Sequence, residues 1–266
     1  MNKKIGFIGS GNMAGAIIGG LLKSGLASRE DLMAADVSEV MRKKVSDAWQ
    51  IRTTADNLEV VAASDILFLA VKPNIYPAVI AQIREAVKPE TVVVTIAAGQ
   101  TLEKVGGLFG RDVKIVRVMP NTPALVGEGM AALCPNPLVT KEELEDVLAI
   151  FGSIGRAEVV GEYLMDVVTA VSGSSPAYVY MFIEAMADAA VAGGMPRAQA
   201  YEFCAQAVLG SAKMVLETGK HPGELKDLVC SPGGTTIAAV CELERLGMRS
   251  AVMSAVAACI EKSREL

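Results

Sequence analysis

The sequence predicts an α/β chain with a doubly wound, mostly parallel sheet at the N-terminus, followed by an all-α domain. Three observations lead there. From residue 4 to about residue 118, short apolar runs alternate with stretches of helical period, the signature of a parallel sheet covered on both faces. The first run leads directly into Gly9-Ser10-Gly11-Asn12-Met13-Ala14, a G-x-G-x-x-A pattern that opens a helical stretch and marks a Rossmann-type dinucleotide-binding unit. After Gly161 no convincing strand pattern remains, and prolines and glycines punctuate a series of helical stretches.

The expected strands of the first domain are residues 4–9, 32–35, 66–70, 91–96 and 114–118, with a weaker one near 52–54. Helical stretches lie between them at 12–24, 38–49, 57–63, 76–87 and 101–109. Residues 129–134 and 155–160 read as further strands around a charged amphipathic helix at 141–150, extending the sheet at its edge. The later helices are expected at 163–171, 176–192, 196–218, 222–229, 232–246 and 248–265. Four of them begin at a proline, which suits a first helical turn because that N–H has no partner anyway. Gly193-Gly194 and Gly219 are natural stops. The boundary is placed near Gly161, giving a dinucleotide-binding domain at 1–161 and an all-α substrate-binding and dimerisation domain at 162–266.

Composition narrows the function. Hydrophobic residues are 52% of the 266 and charged residues 21%, a globular balance. The formal net charge of −5 offers no positive field for non-specific nucleic-acid binding. Mean hydropathy is high at +0.39, yet no run approaches the ~18 apolar residues of a spanning helix. The excess is therefore expected between subunits of an obligate oligomer rather than in a membrane. Stretch 176–192 is apolar on nearly every face, so a second subunit is expected to bury it. The five cysteines are odd in number and form no C-x-x-C pair, which argues against a disulfide framework or zinc site and for a reducing cytoplasmic setting. With His221 the single histidine, a Ser/His triad and a His-rich metal site are nearly excluded, and no metal is expected. The basic-then-apolar start resembles a leader, but it breaks at Gly9 without a cleavage site and reads as a first strand.

In the glycine motif, Gly9 permits the tight turn, Gly11 lets backbone approach a pyrophosphate, and Ala14 keeps helix close to sheet. An ordinary glycine-rich turn is the bland alternative; the flanking strand and helix favour the cofactor, whose phosphates would meet free N–H groups and the helix dipole. Asp36 ends the second strand at the spacing of a ribose-binding acid, where it would accept from a free 2′-hydroxyl and repel a 2′-phosphate. A helix N-cap is its other reading, for which Ser38 competes, and Arg42, Lys43 and Lys44 lie about one turn on, within reach of a phosphate. The cofactor is read as NADPH or NADH, with the acid leaning toward use of NADH. Ala70-Val71-Lys72-Pro73 and Ile96-Ala97-Ala98-Gly99 follow strands at their C-terminal ends, the ligand-binding edge of such sheets. Small residues there would admit the nicotinamide and its ribose. The candidate cofactor residues are Ile8, Gly9, Ser10, Gly11, Asn12 and Met13, then Asp36 and Asn57, then Ala70, Val71, Lys72 and Pro73, and finally Ala97 and Ala98.

Val116-Arg117-Val118-Met119-Pro120-Asn121-Thr122-Pro123-Ala124 is far more specific, and it resembles the pyrroline-5-carboxylate reductases. Ser172-Gly173-Ser174-Ser175-Pro176-Ala177-Tyr178, His221-Pro222-Gly223 with Leu225-Lys226-Asp227, and Ser231-Pro232-Gly233-Gly234-Thr235-Thr236 resemble further family segments in the right order. The resemblance implies reduction of 1-pyrroline-5-carboxylate to L-proline by NAD(P)H, the last step of proline biosynthesis. It also implies a helical domain that intertwines with a second subunit, the homodimers assembling into decamers in many members. Thr236 is implied to hydrogen-bond the imine nitrogen and is the candidate catalytic residue. Glu162, Ser231, Gly233, Gly234 and Thr235 are the other candidate substrate-binding residues.

The loop's own physics points to a carboxylate site, since Pro232 suits a first helical turn, Gly233 and Gly234 bare their N–H groups, and Ser231 offers a hydroxyl. A plain Ser-Pro helix start with Ser231 as cap is the alternative. His221 before a proline reads as a helix-start residue and Lys213 as a solvated one, because the Asn that a 3-hydroxyacid dehydrogenase would carry four residues on is Glu217. Cys230 reads as a small buried residue beside the loop. Ser175, where many relatives carry Gly, and Asp36 depart from the family pattern. Three alternatives stay open: a related imine reductase, a 3-hydroxyacid dehydrogenase-like enzyme, and a dinucleotide-binding regulator without catalysis.

Overall fold

A computed structural model of the chain describes residues 1–265, which pack into two compact units. The first comprises residues 1–174 together with the chain from Cys259 onward; the second is Ser175–Ala258.

The first unit is an α/β sandwich. In chain order its elements are β1 (Ile5–Ile8), α1 (Asn12–Ser24), β2 (Leu32–Ala35), α2 (Glu39–Trp49), β3 (Arg52–Thr54), α3 (Asn57–Ala63), β4 (Ile66–Leu69), α4 (Tyr76–Ile83), β5 (Val92–Thr95) and α5 (Leu102–Phe109). There follow β6 (Lys114–Met119), β7 (Gly129–Pro135), α6 (Lys141–Gly152), β8 (Gly155–Val159) and the short α7 (Met165–Val168). One eight-stranded sheet results, in the order β3-β2-β1-β4-β5-β6-β7-β8. Strands β1 to β6 are parallel, β7 runs antiparallel to β6, and β8 pairs parallel with β7 at the edge. Strand order reverses between β1 and β4, the switch point where such sheets bind ligands.

Apolar residues at every position of β1, β2 and β4 explain why these strands are buried throughout. On one face Phe7 and Phe68 stack at 4.8 Å and Phe151 of α6 tilts onto Phe68, with Ile17 and Leu21 of α1 in the same cluster. On the other, Leu67, Leu69 and Val93 meet Val60, Tyr76, Ile80, Val105 and Phe109. Side-chain caps start the intervening helices: Ser38, Asp56, Thr101 and Thr140 each accept a first-turn N–H.

The packing unit ends beyond the boundary near Gly161 that the sequence suggested. Residues 162–173 form a 3-10 turn, α7 and a π-helical turn in place of the single helix expected at 163–171. They stay with the sheet because Met165 is fully buried against Ala132 and Cys134 of β7. Ser263 also donates to Asp166 at 2.7 Å, holding the end of the last helix to the same unit.

The second unit contains α8 (Ser175–Ala192), α9 (Arg197–Thr218), α10 (Pro222–Val229), α11 (Thr235–Arg245) and most of α12 (Met248–Arg264). Of α8, only Ala187 is buried within the single chain. Tyr180 is 59% and Met181 69% exposed, an apolar helix left without cover. No helix of the described residues is long and apolar enough to cross a membrane.

One expected helix start is corrected. The helix predicted from Pro232 begins at Thr235. Gly233 has a φ of +68°, and Gly234 N–H donates to the Ser231 carbonyl at 3.0 Å. Proline at the second position and a positive-φ glycine at the third make this a type II turn, which cannot continue into an α-helix.

Candidate active site

The glycine loop sits between the C-terminal end of β1 and the start of α1. Gly9 has a φ of +95°, and a side chain there would bring its Cβ within 2.6 Å of the Ala70 carbonyl oxygen, so both the backbone and the neighbouring strand end require glycine. Gly11 is the N-cap of α1, and the place of its missing Cβ is open, with nothing within 4 Å. No side chain caps α1, and its first turn carries no acid. The N–H groups of Asn12, Met13 and Ala14 therefore lack an intrahelical partner at the positive end of the helix dipole. This is the donor set a pyrophosphate needs, and bare backbone at Gly11 leaves room for it.

Asp36 is tied inward. Its Oδ2 accepts from the Ser10 N–H at 2.9 Å and the Ser10 hydroxyl at 3.0 Å, and its Oδ1 accepts from the Ser38 N–H at 2.9 Å. The carboxylate thus pins the glycine loop to the end of β2, with one lone pair of Oδ1 left over. Arg42 lies alongside, donating to the backbone carbonyls of Asp36 at 2.7 Å and Val37 at 3.2 Å. Ala70 follows β4, its N–H donating to Ile8 at 2.8 Å. Lys72 and Pro73 are exposed beyond it, while Ala97 is buried and Ala98 half-buried after β5. Asn57 opens α3 and donates to Gln82 at 2.8 Å. These positions all lie on the C-terminal edge of the parallel strands.

Glu162 also belongs to this unit. Its Oε1 accepts from the Leu102 N–H at 2.7 Å and from Arg117 Nη1 at 3.0 Å, so it anchors the start of α5, just after the Ala97–Ala98 loop. Arg117 is almost wholly buried on β6. The sequence assigned it no role, although an arginine inside an apolar strand is itself a sign of a buried anionic partner. Asn121 was likewise given none. It donates to the Ser172 carbonyl at 3.0 Å and accepts from the Met130 N–H at 2.9 Å, joining three segments of backbone.

In the second unit, the type II turn of Ser231–Gly234 delivers the chain to α11, whose N-cap is Gly234. The Gly234 N–H is spent on the turn, so the donors of this helix start are those of Thr235, Thr236 and Ile237, which have no intrahelical partner, with Gly233 in the turn before them. No acid lies in this first turn. Ser231 and Thr235 are exposed and Thr236 half-buried, so the helix start carries hydroxyls beside bare backbone. His221 is the N-cap of α10, its Nδ1 accepting from the Gly223 N–H at 3.1 Å. Lys213 is exposed and pairs with Glu217 at 3.5 Å along its own helix. Cys230, at the end of α10, is half-buried.

The family model described as pyrroline-5-carboxylate reductase dimerisation matches residues 162–266, and one described as NADP oxidoreductase, coenzyme F420-dependent, matches residues 4–99. The pyrroline-5-carboxylate reductase of Escherichia coli is 55% identical over 266 residues, covering 100% of this chain and 99% of its own. The solved structure of a pyrroline-5-carboxylate reductase from Coxiella burnetii superposes with a TM-score of 0.93 at 31% identity, covering 100% of this chain and 98% of that one. That of the Plasmodium falciparum pyrroline carboxylate reductase with NADP bound gives 0.90 at 35% identity, covering 99% and 98%. Identity at this level along the whole length, with both segments matched in order, makes the chain a member of the pyrroline-5-carboxylate reductase family.

Proposed function

We propose that the protein reduces 1-pyrroline-5-carboxylate to L-proline with NAD(P)H. The observation that carries the reading is the uncapped start of α11, where bare N–H groups stand among Ser231, Thr235 and Thr236. A small carboxylate fits such a helix start, being drawn by the dipole and by several convergent donors. The Thr236 hydroxyl is assigned to the ring nitrogen, and Thr235 with Ser231 to the carboxylate.

Acid–base demand is low, because a protonated imine already accepts hydride. The bound reduced nicotinamide supplies that hydride. The chain's task is to hold the imine carbon in line at about 3–3.5 Å from the donor carbon. The Thr236 hydroxyl hydrogen-bonds the ring nitrogen, donating to the neutral imine or accepting from the N–H of the protonated one, and that N–H is retained when hydride addition to the carbon makes the amine. Ala97 and Ala98 leave space for the ring at the strand ends, and Glu162 with Arg117 holds the segment that follows them. Glu162 is thereby assigned to positioning the site as well as bordering it.

Both NADPH and NADH are proposed to serve. Asp36 keeps one free lone pair for a ribose hydroxyl, which suits NADH, and the Arg42 guanidinium beside it offers a partner for a 2′-phosphate. The functional division is placed at residues 161 and 162, where the dimerisation model begins. The exposed apolar α8 is assigned to a homodimer interface, with the decamer as its larger assembly. A cytoplasmic location fits the cofactor and the free thiols of all five cysteines.

The direct test mixes purified protein with 1-pyrroline-5-carboxylate and either NADH or NADPH, following reduced-nicotinamide absorbance. Oxidation with release of proline is expected. No oxidation with either cofactor would overturn the reading, and faster turnover of a six-membered cyclic imine would move it to a related imine reductase.

A further inference from the structure

The β4–β5 ladder ends at the pair Leu69 and Thr95. Immediately beyond lie the two loops assigned above to the nicotinamide end of the cofactor, Ala70–Pro73 on one side and Ala97–Ala98 on the other. A single side chain sits at their junction. Tyr76 of α4 is fully buried, and its hydroxyl donates to the Leu69 carbonyl at 2.8 Å. Leu69, Tyr76 and Ala97 belong to one packed cluster on the same face of the sheet. A phenylalanine would fill this space equally well, so packing alone does not explain the hydroxyl, which a buried tyrosine retains when it has backbone to bind.

We propose that Tyr76 is a positioning residue for the nicotinamide end of the cofactor, its hydroxyl tying the last carbonyl of β4 to α4 across the Ala70–Pro73 loop while its ring packs in the cluster that holds Ala97, so fixing the gap between the two loops. Burial pushes the phenol well above its ordinary value, so the hydroxyl keeps its proton throughout the working range and remains a donor to Leu69. The adenosine half of the cofactor is bound elsewhere, at the α1 start and the end of β2, and does not depend on this gap. The inference rests on the reading of residues 70–73 and 97–98 as nicotinamide-facing.

The test is Tyr76→Phe in the full-length protein, comparing affinity for NADPH with affinity for 2′-phospho-ADP-ribose, which lacks the nicotinamide. The variant is expected to lose about ten- to a hundredfold in kcat and to bind NADPH more weakly, while its affinity for 2′-phospho-ADP-ribose stays within about twofold. Equal weakening toward both ligands would make Tyr76 merely structural, and no change in either would remove the role. Thr95→Val is the control. It deletes a buried hydroxyl at the end of β5 that has no hydrogen-bond partner among the described residues, and it should leave the ratio of the two affinities unchanged; a matching change would overturn the assignment to Tyr76. If Tyr76→Phe does not fold, amide hydrogen exchange of the native protein decides. Slow exchange at Ala97 supports a loop held in place, and exchange as fast as in an open loop overturns it. A native protein that binds NADPH but reduces no pyrroline-5-carboxylate sinks the proposed reaction and leaves the role of Tyr76 measurable through the two affinities.

Discussion

Asp36 is one residue with two claims on it. Its spacing from the glycine loop suits a ribose acid, yet three donors from Ser10 and Ser38 already hold it. Asp36→Ser should therefore do two things: shift the ratio of kcat/KM toward NADPH by removing a negative charge near the 2′-position, and weaken both cofactors somewhat by releasing Ser10. Steady-state kinetics with the two cofactors check this, and an unchanged ratio would mean that the carboxylate serves only the loop. Thr236 has a single claim. Thr236→Ala removes a hydroxyl assigned to the ring nitrogen, and kcat/KM should fall by about 10- to 100-fold, the worth of one hydrogen bond to a developing or existing charge. Cofactor affinity should hardly change; an equal loss of both would make the residue structural. Both threonines were legible in the sequence through the Ser231–Thr236 motif. Arg117, Asn121 and Tyr76 were not read, because their value lies in partners 45, 51 and 7 residues away, a side-chain carboxylate for the first and backbone carbonyls for the other two.

At the scale of elements, helix starts do most of the work. Five are closed by a side chain, at Ser38, Asp56, Thr101, Thr140 and His221, whereas α1 and α11 are capped only by glycine. These two glycine-capped starts are the ones assigned to ligands. The closed ones stabilise the fold, and α6 shows how. Thr140 and Glu143 form a reciprocal cap, and Glu143 also meets Lys114 of β6 at 2.5 Å. Burial raises the affinity of Glu143 for its proton, but the Lys114 and Thr140 bonds outweigh it and hold the carboxyl below its ordinary value. Stability from such a group is present above the unfolded pKa and is lost as pH falls through the depressed folded one. Glu143→Gln should cost about 1 kcal/mol at neutral pH, seen as a lower Tm, and the difference from the native protein should shrink toward zero as pH falls through the depressed folded value. A pH-independent difference would mean that shape, not charge, is what Glu143 contributes. The sequence located the elements well, since apolar runs and caps are local. It missed the start of α11, because a proline is at home both in a first helical turn and at the second position of a type II turn. Only the left-handed backbone of Gly233 separates the two.

At the scale of the whole molecule, a single chain leaves much apolar surface in its second unit. Met181 and Phe203 are 69% and 61% exposed, more than scattered surface residues require. Two copies are expected to cover it. Met181→Glu should shift the protein toward monomer in sedimentation or light scattering and lower its Tm, because a carboxylate in a desolvated interface is costly. A variant that remains fully dimeric would place the interface elsewhere. The high mean hydropathy had pointed to an oligomer, and the dimerisation model covering residues 162–266 agrees.

The sequence by itself determined the order of strands and helices and the dinucleotide loop, because periodicity and glycine spacing are properties of neighbouring residues, and its longer motifs carried the resemblance to the family. Tertiary structure alone decided what Asp36 and Glu162 hold, where the packing units part, and how Tyr76 meets the ends of two strands. Each of these depends on which atoms from distant parts of the chain arrive within 3 Å or so of one another. The closing of a sheet fixes that, and no local pattern does.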